Sequence, residues 1–289
     1  MNAHEAQPET NMNGLKKVPH IPKNVQTCTM FIMTSYENHD ATVNHFRENN
    51  FFGGHQDSFV FFPQSMLPAV DENGKIMMAS QSSLKLAPNG NGALFDSLKS
   101  NREVQGLISV LDYVQIIGVD NALNKVLDPV QIGYTHNQNL QASLKCVAKR
   151  NAAEKVGVVG TRNGKYDVVE YSELPEEMAN ETNADGSLRF SQGSIVVFVV
   201  QADFLIGLAH GTGSADSDAT SLYHRAHKKI AHVDPDTNLE IIPNKENGWK
   251  FELFIYSLLP RIQKGRFGVV TVDRAAEFAP VKNADGENG

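Results

Sequence analysis

Residues 113–119 read YVQIIGV, an aromatic and β-branched run that leads directly to Asp120. Such a run predicts a strand that is buried on both faces of a sheet. Helical patterns precede it at residues 93–99 and 104–111, and another follows at residues 129–139. Strands that alternate with helices favour an α/β fold, a mixed sheet with helices on both faces. Because ligands of such sheets bind beyond the carboxyl ends of the strands, Asp120 lies where a ligand is expected.

The α/β pattern continues through the rest of the chain. Its further predicted elements are strands at 25–34, 58–62, 144–147, 195–200 and 267–272, a β-hairpin at 156–160 and 166–171, and helices at 40–50, 203–209 and 249–259. Residues 211–220 predict a flexible connection. Residues 1–24 mix polar residues without periodicity and predict a flexible tail, which leaves residues 25–289 as the predicted folded domain.

Composition narrows the class of protein. The chain has 289 residues and a net charge of −7, which argues against a general nucleic-acid surface but is compatible with small phosphate-bearing ligands. The two cysteines, Cys28 and Cys146, form no disulfide framework and are typical of a reducing compartment. The N-terminal residues lack the apolar core of a signal peptide, and no apolar run is long enough to cross a membrane. We therefore predict a globular cytoplasmic protein.

A glycine-rich loop lies at residues 86–95, which read LAPNGNGALF. Gly90 and Gly92 permit positive φ and a close approach to a flat ligand, and the amide of Asn91 can pair with the donors and acceptors of a base. The same residues also form ordinary tight turns ahead of helices. For the isolated loop the second interpretation is favoured, so the loop acquires functional meaning only from its context.

That context is an ordered series of short motifs. They are IMTS at 32–35, NFFG at 50–53, LPAV at 67–70, GNG at 90–92, VDN at 119–121, DP at 128–129, VGVV at 156–159, VVEYSE at 168–173, KKI at 228–230 and PVKNAD at 280–285. In this order they resemble the eukaryotic UDP-N-acetylglucosamine pyrophosphorylase family. The resemblance implies a Rossmann-like nucleotidyltransferase domain that uses Mg²⁺ to form UDP-N-acetylglucosamine and pyrophosphate from UTP and N-acetylglucosamine 1-phosphate.

The resemblance also implies a set of site residues. The residues that match the family's nucleotide site are Gln64, which reads the uracil edge, the loop residues Gly90, Asn91 and Gly92, and Asp120, which also matches the Mg²⁺ ligand. Those that match the sugar site are Gly157, Glu170, Ser194, Phe254 and Tyr256. Lys282 matches the family's phosphate-contacting lysine and is the predicted catalytic residue.

Each of these residues also has a purely structural interpretation. Asp120 equally fits the N-cap of the following helix. Gln64 and Lys282 fit solvated surface residues, and Glu170 fits a polar residue on the outer side of a hairpin. Phe254 and Tyr256 are spaced i, i+2 in a predicted helix, so both cannot lie on one helix face and one of them is expected in the core.

Two further motifs have the composition of a functional site but not its sequence context. The segment GTRNGK at 160–165 has the composition of a phosphate loop, but it lies inside the predicted hairpin. His224, His227 and His232 have the composition of a metal site, but their basic neighbours predict a solvated segment.

The sequence departs from the family around the sugar site. Ser194 stands where the family has a sugar-binding asparagine, and Val197 and Phe198 replace a downstream Asn-His pair. Two alternatives therefore stay open, a UDP-sugar pyrophosphorylase for another sugar and a non-catalytic nucleotide-sugar-binding protein. The family's Gly-rich phosphate loop and small C-terminal domain lie outside these 289 residues, so we expect weak binding and little turnover from them alone.

Overall fold

The computed structural model describes residues 28–211 and 223–281, so the predicted tail at 1–24 and most of the predicted connection at 211–220 lie outside it. The chain forms two compact units. Unit 1 contains the described parts of 107–207 and 258–289, and unit 2 contains the described parts of 22–106 and 208–257. Both units are assembled from separate segments of the chain.

The helices of the described residues are α1 (His39–Glu48), α2 (Leu94–Ser100), α3 (Arg102–Ile108), α4 (Pro129–Asn137), α5 (Glu176–Ala179), α6 (Ala202–Ala209) and α7 (Arg274–Glu277). Short 3-10 segments lie at Gln56–Ser58, Asn91–Ala93 and Ile255–Arg261, and a turn with left-handed dihedrals at Phe51 and Phe52 lies at Asn50–Gly53. The strands are β1 (Met30–Thr34), β2 (Phe59–Pro63), β3 (Met66–Pro68), β4 (Val70–Asp71), β5 (Met78–Ser80), β6 (Ser83–Leu84), β7 (Leu86–Pro88), β8 (Tyr113–Ile117), β9 (Ala142–Ala148), β10 (Val158–Arg162), β11 (Lys165–Val169), β12 (Gln192–Gln201), β13 (Tyr223–Lys228), β14 (His232–Val233), β15 (Glu240–Ile241), β16 (Gly248–Leu253) and β17 (Phe267–Thr271).

Unit 1 is built on a six-stranded mixed sheet. Its order is β11-β10-β12-β9-β17, and β8 pairs with β12 as well. The β9–β17 pair is parallel, whereas the pairs of β12 with β8, β9 and β10 are antiparallel. Leu144 of β9 and Phe198 of β12 are fully buried, so the hydrophobic core lies along these two strands. The predicted α/β fold with a mixed sheet is confirmed.

Unit 2 contains several smaller sheets. Strands β1 and β2 pair in parallel, and β3 pairs with β7. A three-stranded sheet has the order β13-β16-β4, and a four-stranded sheet has the order β15-β14-β5-β6. Ala69, Met77 and Ile230 form a buried apolar cluster in this unit.

Most of the elements predicted from the sequence are confirmed, with their ends shifted by a few residues. The confirmed elements are the helices predicted at 40–50, 93–99, 104–111, 129–139 and 203–209, the strands predicted at 58–62, 144–147, 195–200 and 267–272, and the hairpin at 156–171. In that hairpin Asn163 and Gly164 have φ of 54° and 76°, as a two-residue turn of type I′ requires. The motif GTRNGK therefore belongs to this hairpin.

The predicted helix at residues 249–259 is wrong. The chain forms β16 and then a 3-10 turn that includes Pro260. β16 pairs with β13 over its whole length and with β4 at Gly248 and Trp249. These pairings between distant segments outweigh the local pattern, which a single-sequence reading cannot foresee.

The predicted burial of residues 113–119 on both faces of the sheet is also wrong. All five residues of β8 are only half-buried. Of the described strands, β8 pairs with β12 alone. It therefore lies at an edge of the sheet, where one of its two flanks has no neighbouring strand among the described residues.

β12 contains a bulge between Ser194 and Val197. Val196 lies within the bulge with a φ of 58°. A β-branched residue in this left-handed region is a backbone outlier, and such conformations cost on the order of 1–3 kcal/mol. The bulge is thus a strained feature in the centre of the unit 1 sheet.

Replacing Val196 by asparagine is expected to keep or raise the free energy of unfolding, by up to about 1 kcal/mol, because asparagine tolerates the left-handed conformation. Val199→Asn in the same strand is the control. Val199 is fully buried, so that variant is expected to lose about 2 kcal/mol or more through an unsatisfied buried amide. Urea denaturation measures both variants, and equal losses would show that Val196 carries no strain.

Within the described ranges, no helix combines the length and the apolar character that crossing a bilayer demands.

Candidate functional site

Gly157, Glu170 and Ser194 converge in unit 1, although they come from three separate segments. The carbonyl oxygen of Gly157 accepts a hydrogen bond from the amide of Ser194 at 2.8 Å. A Cβ atom on residue 157 would lie 3.5 Å from Oε1 of Glu170 and 2.7 Å from Cγ1 of Val168. Only glycine fits at 157 without displacing its neighbours. The structure therefore brings together three of the five predicted sugar-binding residues.

Ser194 lies at the start of the β12 bulge and is 5% exposed. Its Oγ accepts a hydrogen bond from the amide of Val196 at 3.2 Å. The carbonyl oxygen of Val196 in turn accepts a bond from the amide of Gly118 at 3.3 Å. The strained bulge thus links the Ser194 position to the segment that leads to Asp120.

Asp120 lies in a turn beyond β8 and is half-buried. A Cβ on Gly118 would lie 2.8 Å from Oδ1 of Asp120, so the carboxylate folds back over this glycine. The next helix, α4, has Asp128 as its N-cap, and the Asp128 side chain accepts from the amide of Val130 at 2.9 Å. The structure therefore excludes the N-cap alternative for Asp120.

The predicted catalytic residue, Lys282, lies outside the described residues. The residue before it, Val281, donates its amide hydrogen to the carbonyl oxygen of Asp120 at 2.8 Å. Pro280 forms a β-bridge with Asn121. The described end of the C-terminal segment is therefore joined to the turn that carries Asp120.

A buried ion cluster lies beneath this turn. Lys145 of β9 is 1% exposed, and its Nζ donates to Oδ2 of Asp128 and to Oε2 of Glu277, each at 2.5 Å. The half-exposed Lys125 donates to Oε1 of Glu277 at 2.7 Å. This cluster was not predicted from the sequence, although a lysine inside the apolar strand 142–148 is a signal for a buried charge pair.

The cluster changes the protonation of its members. Burial acts to raise the pKa of Asp128, but the hydrogen bonds from Lys145 and from the Val130 amide outweigh it, and the pKa lies below the usual value. The hydrogen bond to Glu277 holds the pKa of Lys125 above its usual value. These directions favour the charged forms of Asp128 and Lys125.

The glycine-rich loop in unit 2 is held by contacts within the chain. A Cβ on Gly90, whose φ is 77°, would lie 2.5 Å from the carbonyl oxygen of Leu253, and one on Gly92 would lie 2.7 Å from the carbonyl carbon of Leu253. Oδ1 of Asn91 accepts a hydrogen bond from the amide of Ile255 at 2.8 Å. Close packing against residues 253–255 therefore explains both glycines, and the loop is a tight turn that leads into α2.

Gln64 lies between β2 and β3 in unit 2 and is half-buried. Its backbone amide donates a hydrogen bond to the carbonyl oxygen of Thr34 at 2.7 Å. Its side-chain Oε1 is buried and meets no hydrogen-bond donor among the described residues. A buried acceptor without a donor costs free energy, so this atom is a candidate contact for a ligand.

Phe254 and Tyr256 follow β16 in unit 2. Their ring centroids lie 6.4 Å apart in a T-shaped arrangement, and Tyr256 is 8% exposed. The segment is not an α-helix, so the expected separation of the two residues onto different helix faces is wrong, but Tyr256 is buried, as expected for one of the two. Phe254 also stacks on His224 at 4.2 Å, so the predicted solvated segment is wrong at this histidine.

Comparison with known proteins identifies the family. The family "UTP–glucose-1-phosphate uridylyltransferase" matches residues 15–286. A UDP-N-acetylglucosamine pyrophosphorylase from Saccharomyces cerevisiae is 36% identical over 89% of the chain and 53% of its own length. The chain thus spans about half the length of the curated relatives that it matches.

Solved structures agree with this result. A putative UDP-N-acetylglucosamine pyrophosphorylase from Entamoeba histolytica superposes with a TM-score of 0.75 at 32% identity, over 90% of this chain and 62% of that one. The Trypanosoma brucei UDP-N-acetylglucosamine pyrophosphorylase, solved with an inhibitor, gives 0.75 at 33% identity, over 89% of this chain and 50% of that one. The chain therefore belongs to the UTP–glucose-1-phosphate uridylyltransferase family and is similar within it to UDP-N-acetylglucosamine pyrophosphorylases.

Proposed function

We propose that this protein is a uridylyltransferase that forms UDP-N-acetylglucosamine and pyrophosphate from UTP and N-acetylglucosamine 1-phosphate. The observation that carries the proposal is the convergence of Gly157, Glu170 and Ser194. A carboxylate can accept two hydroxyl donors at once, which suits the rim of a pyranose ring. The similarity to UDP-N-acetylglucosamine pyrophosphorylases supports the same sugar.

The reaction is a displacement at phosphorus. A phosphate oxygen of the sugar 1-phosphate attacks the α-phosphorus of UTP, the bond from that phosphorus to the β-phosphate oxygen breaks, and pyrophosphate leaves with the electron pair. The protein's task is to position the reactants and to neutralise their charge. Glu170, Gly157 and Ser194 hold the sugar in this scheme, and Lys282 contacts phosphate.

Mg²⁺ is the implied cofactor, and Asp120 suits it. Mg²⁺ is commonly bound through one or two carboxylates and completes its shell with phosphate oxygens and water. Asp120 supplies one carboxylate, and the N-cap of the next helix, α4, is Asp128 instead. When bound, Mg²⁺ neutralises charge on the phosphates. Asp120 is the residue that would hold it.

In unit 2, Gln64 is proposed to read the uracil. Its buried Oε1 lacks a donor among the described residues, and uracil offers the N3 hydrogen. The amide NH₂ of the same side chain can donate to a uracil carbonyl. Gly90, Asn91 and Gly92 are proposed to flank the uridine, and Phe254 and Tyr256 the sugar's acetyl group, on the family match.

Replacing Gln64 by leucine is expected to weaken UTP binding by about 10- to 100-fold, because two hydrogen bonds of roughly 0.5–1.5 kcal/mol each are lost. The same change removes an unpartnered buried acceptor, so the thermal midpoint of the free protein is expected to hold or rise. Gln81→Leu, an exposed site in the same unit, is the control. Titration calorimetry and thermal melting test the pair, and unchanged UTP affinity in Gln64→Leu would remove this residue from the site.

A second candidate is a UDP-sugar pyrophosphorylase that uses another sugar. The observation that favours it is Ser194, whose single hydroxyl already bonds to the Val196 amide. A hydroxyl cannot supply the paired donor and acceptor of an amide. Pyrophosphate release with N-acetylglucosamine 1-phosphate, N-acetylgalactosamine 1-phosphate and glucose 1-phosphate separates the two candidates.

The same assay tests the proposed function as a whole. Turnover that is fastest with N-acetylglucosamine 1-phosphate would support it. In a chain that also carries the family's Gly-rich phosphate loop, binding of UDP-N-acetylglucosamine with no pyrophosphate release from any sugar phosphate would contradict it and would favour a non-catalytic nucleotide-sugar-binding protein. We propose a cytoplasmic location on the content of two cysteines, which is typical of a reducing compartment.

A further inference from the structure

Asn121 is buried, 4% exposed, and both ends of its side-chain amide are occupied. Nδ2 donates to the carbonyl oxygen of Glu277 at 2.8 Å and to Oδ1 of Asn124 at 2.9 Å. Oδ1 accepts from the amide of Ala279 at 2.9 Å and from that of Leu123 at 3.3 Å. One side chain therefore joins the turn after β8 to the segment that follows α7.

Backbone bonds continue this junction on either side of Asn121. The amide of Ala122 donates to the carbonyl oxygen of Ala279 at 3.2 Å, and that of Val281 donates to the carbonyl oxygen of Asp120 at 2.8 Å. Residues 279–281 and 120–122 therefore run together as a short paired segment. Asn121 lies at its centre.

The ion cluster supports the same segment from below. Glu277, whose carbonyl oxygen receives the Asn121 amide, bonds through its carboxylate to Lys145 and Lys125. Lys145 is anchored in β9, in the core of the unit 1 sheet. The bonds from Asn121 to residues 277 and 279, called the clamp below, are thus connected through Glu277 and Lys145 to the buried strand β9.

We propose that Asn121 is a positioning residue for nucleotidyl transfer, which fixes the turn that carries Asp120 against residues 277–281. The inference rests on the proposed function, in which Asp120 acts on phosphate. Asn121 itself has no free amide group for substrate, because protein groups occupy its donors and its acceptor. Its bonds hold the residues on either side of a proposed site residue, and this is the placement that a positioning role requires.

Asn121→Ala in the purified protein tests the proposal in two ways. We expect hydrogen exchange to accelerate at the amides of Ala279 and Val281, while the amide of Val272, which donates to Cys146, keeps its protection. We expect kcat to fall by about 10- to 100-fold, the loss that a misplacement of about 1 Å produces, and KM for the sugar phosphate to change little.

Leu140→Ala is the control for simple loss of stability. Leu140 is 4% exposed in the same unit and contacts neither the turn nor the segment through any bond described above. It is expected to lower the thermal midpoint at least as much as Asn121→Ala and to leave kcat within about twofold at 25 °C. If Asn121→Ala does not fold, Asn121→Asp replaces it, since a carboxylate keeps the acceptor and loses the donors.

Each outcome bears on the claim. Unchanged exchange at Ala279 and Val281 would overturn the clamp, and faster exchange with unchanged kcat would overturn the positioning role. Failure of both Asn121 variants to fold would assign the residue to folding alone. The kcat comparison is made in protein that also carries the family's Gly-rich phosphate loop; absence of turnover in its wild-type form would contradict the proposed function instead, and the exchange measurement would still report on the bonds of Asn121.

Discussion

Lys145→Met is expected to lower the free energy of unfolding by about 3–5 kcal/mol, the usual cost of removing one partner from a buried ion pair. Lys145 is the residue that joins the carboxylates of Asp128 and Glu277, and its side chain is 1% exposed. Without it, the Asp128 carboxylate is left buried, with the hydrogen bond from the backbone amide of Val130 but without its ion-pair partner. Urea denaturation at neutral pH measures the loss.

Lys125→Met is the matched control, because Lys125 contacts the same Glu277 but its side chain is 53% exposed. Pairs at the surface contribute little, so we expect a loss below about 1 kcal/mol. Similar losses in the two variants would contradict the account of the cluster.

The effect of Lys145→Met is also expected to depend on pH. In the wild-type protein the pKa of Asp128 is below its usual value, so its contribution to stability is present above the unfolded pKa of about 3.9 and is lost as pH falls through the folded pKa. In the variant, burial without Lys145 raises this pKa, which destabilises the folded state above the unfolded pKa. The difference between the two proteins should therefore shrink from pH 7 toward pH 4. A constant difference over that range would contradict this assignment.

In a protein reconstructed with the family's Gly-rich phosphate loop, Asp120→Asn is expected to lower Mg²⁺-dependent turnover by about 100- to 1,000-fold and to change stability by less than about 1 kcal/mol. The amide keeps the size of the carboxylate but lacks the charge that Mg²⁺ favours. The helix that follows is capped by Asp128, so no cap is lost. Initial rates over a range of Mg²⁺ concentrations, with thermal melting of the same samples, measure both quantities.

Asp128→Asn is the control, and it is expected to affect stability rather than the Mg²⁺ dependence of turnover. It keeps a side chain that can cap α4 but breaks the ion pair with Lys145, so it is expected to lower stability and to leave the Mg²⁺ dependence of turnover unchanged. If Asp120→Asn kept the wild-type rate and Mg²⁺ dependence, Asp120 would not be the metal ligand.

The sequence was sufficient where local signals agree with the fold. Asn163-Gly164 between two β-branched runs defines the hairpin, and Pro129 after Asp128 marks the start of α4. Local signals failed at residues 249–259, where strand pairing with β13 and β4 decides the structure. The half-buried state of β8 likewise depends on its place at the sheet edge.

The candidate site shows the same division. The ordered motifs located Gly157 and Glu170, the departure from the family at a sugar-binding asparagine located Ser194, and the structure brings these three residues together. The roles of Asn121 and Lys145 could not be read from the sequence, because their partners near residue 277 lie more than a hundred positions away. For the loop at 90–92, the sequence left two interpretations, and the packing against Leu253 supplies the physical reason for its glycines.

The central claim is that Glu170 and its neighbours bind the sugar of a UDP-sugar. Titration calorimetry of UDP-N-acetylglucosamine into wild-type protein, Glu170→Ala and the control Glu173→Ala tests it most directly. We predict that Glu170→Ala weakens binding by about 10- to 150-fold, equivalent to a charged hydrogen bond of roughly 1.5–3 kcal/mol, and leaves UTP binding unchanged. Glu173→Ala should bind both ligands as the wild-type protein does. Equal affinity of Glu170→Ala and wild-type protein for UDP-N-acetylglucosamine would contradict the claim.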